Sequence, residues 1–192
     1  MDEKTRYGTE DCLPIEKGTS LSGRVIVLKP ETLPSVPSGI LQLFFCTNEE
    51  GTLNPADRPV SAVSLSNGEF VCKKRGEVLG ILKPELLPDS ARLQLSQIRP
   101  RNSESPKNPE FFGYCFLPDG RYAAGVPLAD EMELREYVEI QRAYQHRLMI
   151  CDGEDCCVLE MLDGRLVFPT PEMLEKQQAP ETPAPGGVEM KL

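Results

Sequence analysis

Three dipeptides constrain this chain more than any other feature: Asn67-Gly68, Asp119-Gly120 and Asp163-Gly164, each set between short apolar runs. A two-residue type I′ turn needs positive φ at both central residues, which Asn-Gly and Asp-Gly supply at the lowest steric cost. Each therefore predicts a hairpin. Apolar runs of strand length lie at 25–28, 40–46, 60–65, 70–72, 78–82, 114–117, 121–126, 148–151, 156–162 and 166–168. Runs of this length punctuated by turn signals predict mainly antiparallel sheet.

One long helix interrupts the pattern, over about 131–144. Asp130 is its predicted cap, with Glu133 three residues on as a capping box requires. Leu134, Tyr137, Val138 and Tyr144 form one apolar face, and Glu131, Arg135 and Glu139 are spaced for i,i+4 pairs on the other. The fold class is thus α+β. The two tyrosines read as core packing against a sheet.

An internal repeat refines this expectation. Leu28-Lys29-Pro30-Glu31-Thr32-Leu33-Pro34 and Leu82-Lys83-Pro84-Glu85-Leu86-Leu87-Pro88 agree at six of seven positions, and Gly164 to Leu174 matches Gly23 to Leu33 at Gly, Arg, Pro, Glu and Leu. Proline is tolerated at the first helical position and the next glutamate faces the positive end of the helix dipole. Each copy predicts a strand running into a short helical turn. The stretch 63–71 also aligns with 159–167 around a shared hairpin, and each follows a strand ending in cysteine and an acidic turn. The sequence thus predicts two related β-meanders.

Composition sets the boundaries. A polar, flexible N-terminus is expected over 1–18, a first β-rich half over 19–99, a Pro/Ser/Asn-rich loop or linker over 100–110, a second α+β half over 111–176 and a disordered tail over 177–192. The two halves are expected to pack as one domain. Residues 1–96 hold 11 basic and 13 acidic groups and residues 97–192 hold 10 and 17, for a net charge of −9. Such a field repels nucleic-acid phosphates, and Lys73-Lys74-Arg75 is too thin a basic stripe to offset it. No apolar run approaches membrane-spanning length, and the first twenty residues lack the apolar core of a secretory signal. Seven cysteines without short extracellular spacing point to free buried thiols. A cytoplasmic setting is expected.

The chemistry-bearing residues concentrate at one place. His146, the sole histidine, precedes Cys151, Cys156 and Cys157. All are metal-capable, but Cys151-x₄-Cys156 is loose against the usual zinc spacing, and adjacent strand residues face opposite ways, so Cys156 and Cys157 cannot both reach one ion without a bulge. A hairpin would set Cys151 opposite Cys156 for a reversible disulfide. Asp152, Glu154 and Asp155 surround that pair and raise the thiol pKa, which works against redox sensing. There is no nucleophile elbow, phosphate loop or dinucleotide fingerprint, and no tryptophan for sugar stacking.

These readings favour a non-enzymatic intracellular interaction or accessory protein that presents a sheet or helix surface to a protein partner, with no cofactor. An enzyme or metal-dependent factor centred on His146, Cys151 and Cys156 is the alternative. A third reading is an acidic binder that occupies a nucleic-acid-binding protein.

Overall fold

The computed structural model describes residues 4–33, 38–51, 54–100, 105–170 and Met173. The strands are β1 (Cys12–Leu13), β2 (Arg24–Leu28), β3 (Leu43–Glu49), β4 (Pro59–Ser64), β5 (Phe70–Lys74), β6 (Val78–Leu82), β7 (Phe111–Phe116), β8 (Val126–Leu128), β9 (Arg147–Asp152), β10 (Cys157–Leu162) and β11 (Arg165–Phe168). The helices are α1 (Asp89–Ser96) and α2 (Glu131–Gln141). Two antiparallel sheets result, ordered β1-β6-β2-β3-β4-β5 and β11-β10-β9-β7-β8. The fold is α+β and mostly β.

The three Gly dipeptides join β4 to β5, β7 to β8 and β10 to β11. Only Asp163-Gly164 takes the expected double positive φ, at 48° and 74°. At the other two, the glycine alone is left-handed, with φ of 77° at Gly68 and 83° at Gly120. Their loops are longer: Ser64 N–H reaches Glu69 O at 2.9 Å, and Leu117 N–H reaches Arg121 O at 2.8 Å. A loop of three or four residues starts as a type I turn and needs a left-handed residue only at its end.

The helix after Asp130 is shorter than its apolar face suggests. Asp130 Oδ1 accepts the Glu133 N–H at 2.9 Å, as a cap should. Helical geometry stops at Gln141, and the chain turns through Tyr144, whose N–H bonds Gln141 O at 2.9 Å. Glu131 pairs with Arg135 as expected, whereas Glu139 pairs with Arg142 at 3.0 Å. Helix α1 has no counterpart in the sequence reading. Pro88 follows the Pro84–Leu86 turn and is the residue before the new helix. Eight residues are too few for a helical period to stand out.

The Pro-Glu turns form at Pro30–Thr32 and Pro84–Leu86. Lys29 and Lys83, which precede them, share one backbone conformation, φ −64° with ψ 131° and 127°. Their bonds match as well. Lys29 donates its N–H to Glu77 O and its ammonium to Gly76 O, and Lys83 donates to Asp11 O and Glu10 O in the same way. Because β2 and β6 run antiparallel, the two turns lie at opposite ends of the sheet. Glu31 lines a cleft with Arg6 and Lys29, and Glu85 a separate one with Arg92 and His146. The third turn, after residue 170, lies outside the described residues, as do the tail 177–192 and residues 101–104 of the expected linker.

Strand β2 is buried on both faces, so the first sheet carries two apolar layers. Val25 and Val27 meet Leu43, Phe45, Leu82 and α1 residues Ala91 and Leu95, while Ile26 and Leu28 meet Leu21, Phe44, Val60 and Ile81. A third layer joins α2, through Tyr137, to Leu128, Leu148 and Ile150 of the second sheet. Tyr144 and Ile140 cross from the α2 region into the layer containing α1. Further bonds tie the helices together: Tyr137 donates to Ser96 O at 2.8 Å and Gln141 to Leu95 O at 2.9 Å. The N-terminus differs from the flexible segment expected over 1–18. Tyr7 and Cys12 are buried, Tyr7 N–H bonds the buried Gln42 side chain at 2.9 Å, and β1 pairs with β6. Two well-placed apolar side chains and a paired backbone fix a segment whose overall composition is polar.

Candidate functional site

The sequence gathers His146, Cys151 and Cys156 into one candidate site, and β9 pulls them apart. His146 stands just before the strand and Cys151 near its other end, five residues on, a separation of about 17 Å at the usual strand rise. His146 Nδ1 instead meets Asp163 Oδ1 at 2.8 Å. The Asp163 backbone holds the pair in place, because its N–H bonds His146 O at 2.7 Å where the type I′ turn begins. Among the described residues no three His, Cys, Asp or Glu side chains are grouped to hold a metal ion.

The His146–Asp163 pair sits on a polar cleft of about 360 Å³ between α1 and the start of β9. Arg92 forms one wall, but its guanidinium is spent on Leu87 O and Pro84 O, both at 3.0 Å. No serine, threonine or cysteine is among the described residues lining this cleft. Held by Asp163, the imidazole is oriented to bind a polar group in this cleft.

The cysteine pairing also differs from expectation. The register sets Cys151 opposite Cys157, and Cys156 falls in the turn. Asp152 shapes that turn by accepting the N–H groups of Glu154 and Cys156, both at 2.9 Å. Burial, then the neighbouring Cys157 and the turn carboxylates, push the Cys151 thiol above its ordinary pKa. Burial also raises Cys157, with Glu160 adding to it.

A different surface emerges from strand alternation. Phe111, Cys115, Leu148 and Ile150 belong to the layer packed on α2, and Gly113 lies so close to the Tyr137 ring that a Cβ there would come within 2.4 Å of it. Alternate residues point the other way. Phe112, Tyr114 and Phe116 of β7 therefore line the opposite face, beside Cys151, Met149 and Arg147 of β9. Tyr122, bridged to Phe116 and 52% exposed, packs edge-on to Tyr114 at 6.2 Å and tilted to Phe116 at 5.1 Å. Arg147 covers the Phe116 ring at 5.1 Å and pairs with Glu160 at 2.6 Å. Burial, then Asp155 and Cys151, raise the Tyr114 phenol above its ordinary value.

This aromatic face went unread in the sequence, although its period was there. In Phe111-Phe112-Gly113-Tyr114-Cys115-Phe116 both alternating sets are apolar, so nothing local says which set faces α2. Only Gly113 distinguishes them, because the Tyr137 ring needs that space. No protein family, curated protein or solved structure matches the chain. Among the described residues no helix is long and apolar enough to cross a membrane.

Proposed function

We propose that this chain is a non-enzymatic interaction protein that takes a protein partner on the outer face of its second sheet. The observation that carries this reading is the row Phe112, Tyr114 and Phe116, extended by Tyr122, on the face turned away from α2. Aromatic residues and arginine are enriched in the cores of protein interfaces, where large rigid side chains exclude water at small entropic cost. Leu162, 41% exposed, continues the apolar surface toward β11. A protein is favoured over nucleic acid as the occupant. Arg147, which covers the Phe116 ring, is neutralised by Glu160, and the acidic turn from Asp152 to Asp155 borders the face. A cytosolic setting accompanies this reading, since Cys12, Cys46 and Cys115 serve as small buried apolar groups.

The repeat supports a second, structural element of the proposal, that the sheets derive from duplicated meanders. β2-β3-β4-β5 and β7-β9-β10-β11 have the same neighbour order, and β6 and β8 flank the first strand of each. The β8–α2 segment would then be inserted between the first two strands of the second copy. Aligned structures of more distant relatives that lack this segment would support the duplication, and relatives with unrelated strand orders would overturn it.

The functional test uses Tyr122→Asp and Phe116→Ser, both on the solvent side of the sheet. Proteins retained by the wild-type chain from its native host should be lost from the double variant, with melting temperature shifted by only a few degrees. Retention of the same partner by both proteins would overturn the assignment of this face.

A further inference from the structure

The end of the β9–β10 hairpin carries a pair of thiols that the sequence spacing misassigned. Cys151 and Cys157 are direct Cα partners. The next residues outward, Asp152 and Cys156, form the bonded pair, with Asp152 N–H to Cys156 O at 2.9 Å. Antiparallel pairs alternate, so Cys151 and Cys157 occupy a position without ladder bonds, where side chains come closest and Cα atoms lie roughly 4.5 Å apart. That spacing falls within the range of about 4.4–6.8 Å that a disulfide spans. Directly opposed residues also point to the same face of the sheet. Cys156, one residue earlier in the turn, points away and directs its sulfur toward Glu154 O at 3.9 Å.

We propose that Cys151 and Cys157 are a reversible disulfide site, oxidised by a small-molecule disulfide of the glutathione class. Cys157, half-buried, is the entry point, and Cys151, 5% exposed, is the resolving thiol. The Cys157 thiolate attacks one sulfur of the oxidant, expelling one thiolate and forming a mixed disulfide. Cys151, deprotonated, then attacks the Cys157 sulfur and expels the second thiolate. Two protein S–H bonds are lost, one S–S bond forms, and both electrons and both protons leave on two reduced thiols. The raised thiol pKa values make the reaction slow at neutral pH and faster as pH rises, because the thiolate is the nucleophile. The bond would staple the hairpin beside Phe112 and Tyr114, and its formation does not depend on what the aromatic face binds.

The test uses the full chain carrying Cys72→Ser and Cys156→Ser, which removes the two exposed thiols. After exposure to oxidised glutathione, the protein is cleaved after Glu154, between the paired cysteines. The fragments bearing Cys151 and Cys157 should remain joined until a reductant is added, with a loss of two titratable thiols. Adding Cys157→Ser, at a half-buried position where folding can be checked by melting temperature, should abolish the cross-link. Separation of the fragments without reductant overturns the proposal. So does a chain with Cys156 restored in which Cys156, and not Cys157, is found linked to Cys151.

Discussion

The Tyr144 hydroxyl accepts the backbone N–H of Val25 at 2.9 Å, so a side chain beyond α2 completes the hydrogen bonding of a buried strand in the first sheet. A buried donor that loses its partner carries a desolvation penalty of about 1–3 kcal/mol. Burial holds the phenol pKa above its ordinary value, so the hydroxyl stays neutral across the physiological range. Tyr144→Phe keeps the ring and removes only the acceptor. Its unfolding free energy in urea should fall by about 1–3 kcal/mol with an unchanged slope. An unchanged midpoint would mean that Val25 finds another partner.

Arg99 and Glu133 form an enclosed ion pair, at 13% and 4% side-chain exposure. The Arg99 Nη2 lies 3.0 and 2.9 Å from the two carboxylate oxygens, and Ala129 N–H adds a bond at 2.7 Å. Removing one member of such a pair leaves a buried charge without compensation, at about 3–5 kcal/mol. Glu133→Gln should therefore destabilise strongly. Arg99→Met combined with Glu133→Leu should lie closer to the wild type than Glu133→Gln, because it leaves no buried charge unpaired and orphans only the Ala129 N–H. Denaturant melts of the three proteins check this.

Glu133 also marks how far the sequence could be read. Its place three residues after Asp130 signals the helix start, and the cap forms. That its carboxylate turns inward to Arg99, across a separation of 34 residues, has no local signature. Most strands were legible for the same local reason: nine of the ten apolar runs lie mainly within a strand, because turn chemistry and strand length act over a few residues. The run 121–126 reaches β8 only at Val126, and β1 had no run of its own. Helix α1, the burial of Tyr7 and the outward turn of Phe112, Tyr114 and Phe116 depend on what packs against them. His146, Cys151 and Cys156 are close in sequence, and an extended strand is the conformation that separates near neighbours most.

Asp11 ties the N-terminal segment to the fold and makes it sensitive to acid. Burial by itself would raise its pKa, but the Gly8 N–H at 2.8 Å and the Lys4 ammonium outweigh it and hold the carboxyl below its ordinary 3.8. A lowered folded pKa stabilises the native state fully above the unfolded value and progressively less as pH falls through the folded one. The contribution should thus be intact at neutral pH and fade below about pH 4. Asp11→Ala should lower stability by about 1 kcal/mol at pH 7, the typical loss of a capping acceptor, and should narrow its gap to the wild type as the pH drops toward 2. Thermal melts across that range test it, and a gap that widens in acid would show the opposite sign.

The seven cysteines divide by accessibility, and alkylation should reveal the division. Burial pushes Cys12 up to about 11, and Cys46 and Cys115 up to about 12, so these three are thiols rather than thiolates at pH 8 and are also shielded by the core. Nucleophilic attack on iodoacetamide requires the thiolate, and each unit of pKa elevation lowers its fraction about tenfold. Cys72 on β5 and Cys156 in the β9–β10 turn are exposed and should be modified first. Cys157, half-buried with a raised pKa, should follow more slowly, and Cys151 more slowly still. Site-resolved mass spectrometry over time should find two fast sites, then Cys157 and Cys151, with Cys12, Cys46 and Cys115 reacting only after denaturation. Rapid labelling of Cys46 would contradict the packing of β3 between β2 and β4, since its side chain is enclosed by Leu21, Ile26 and Val60 in the folded chain.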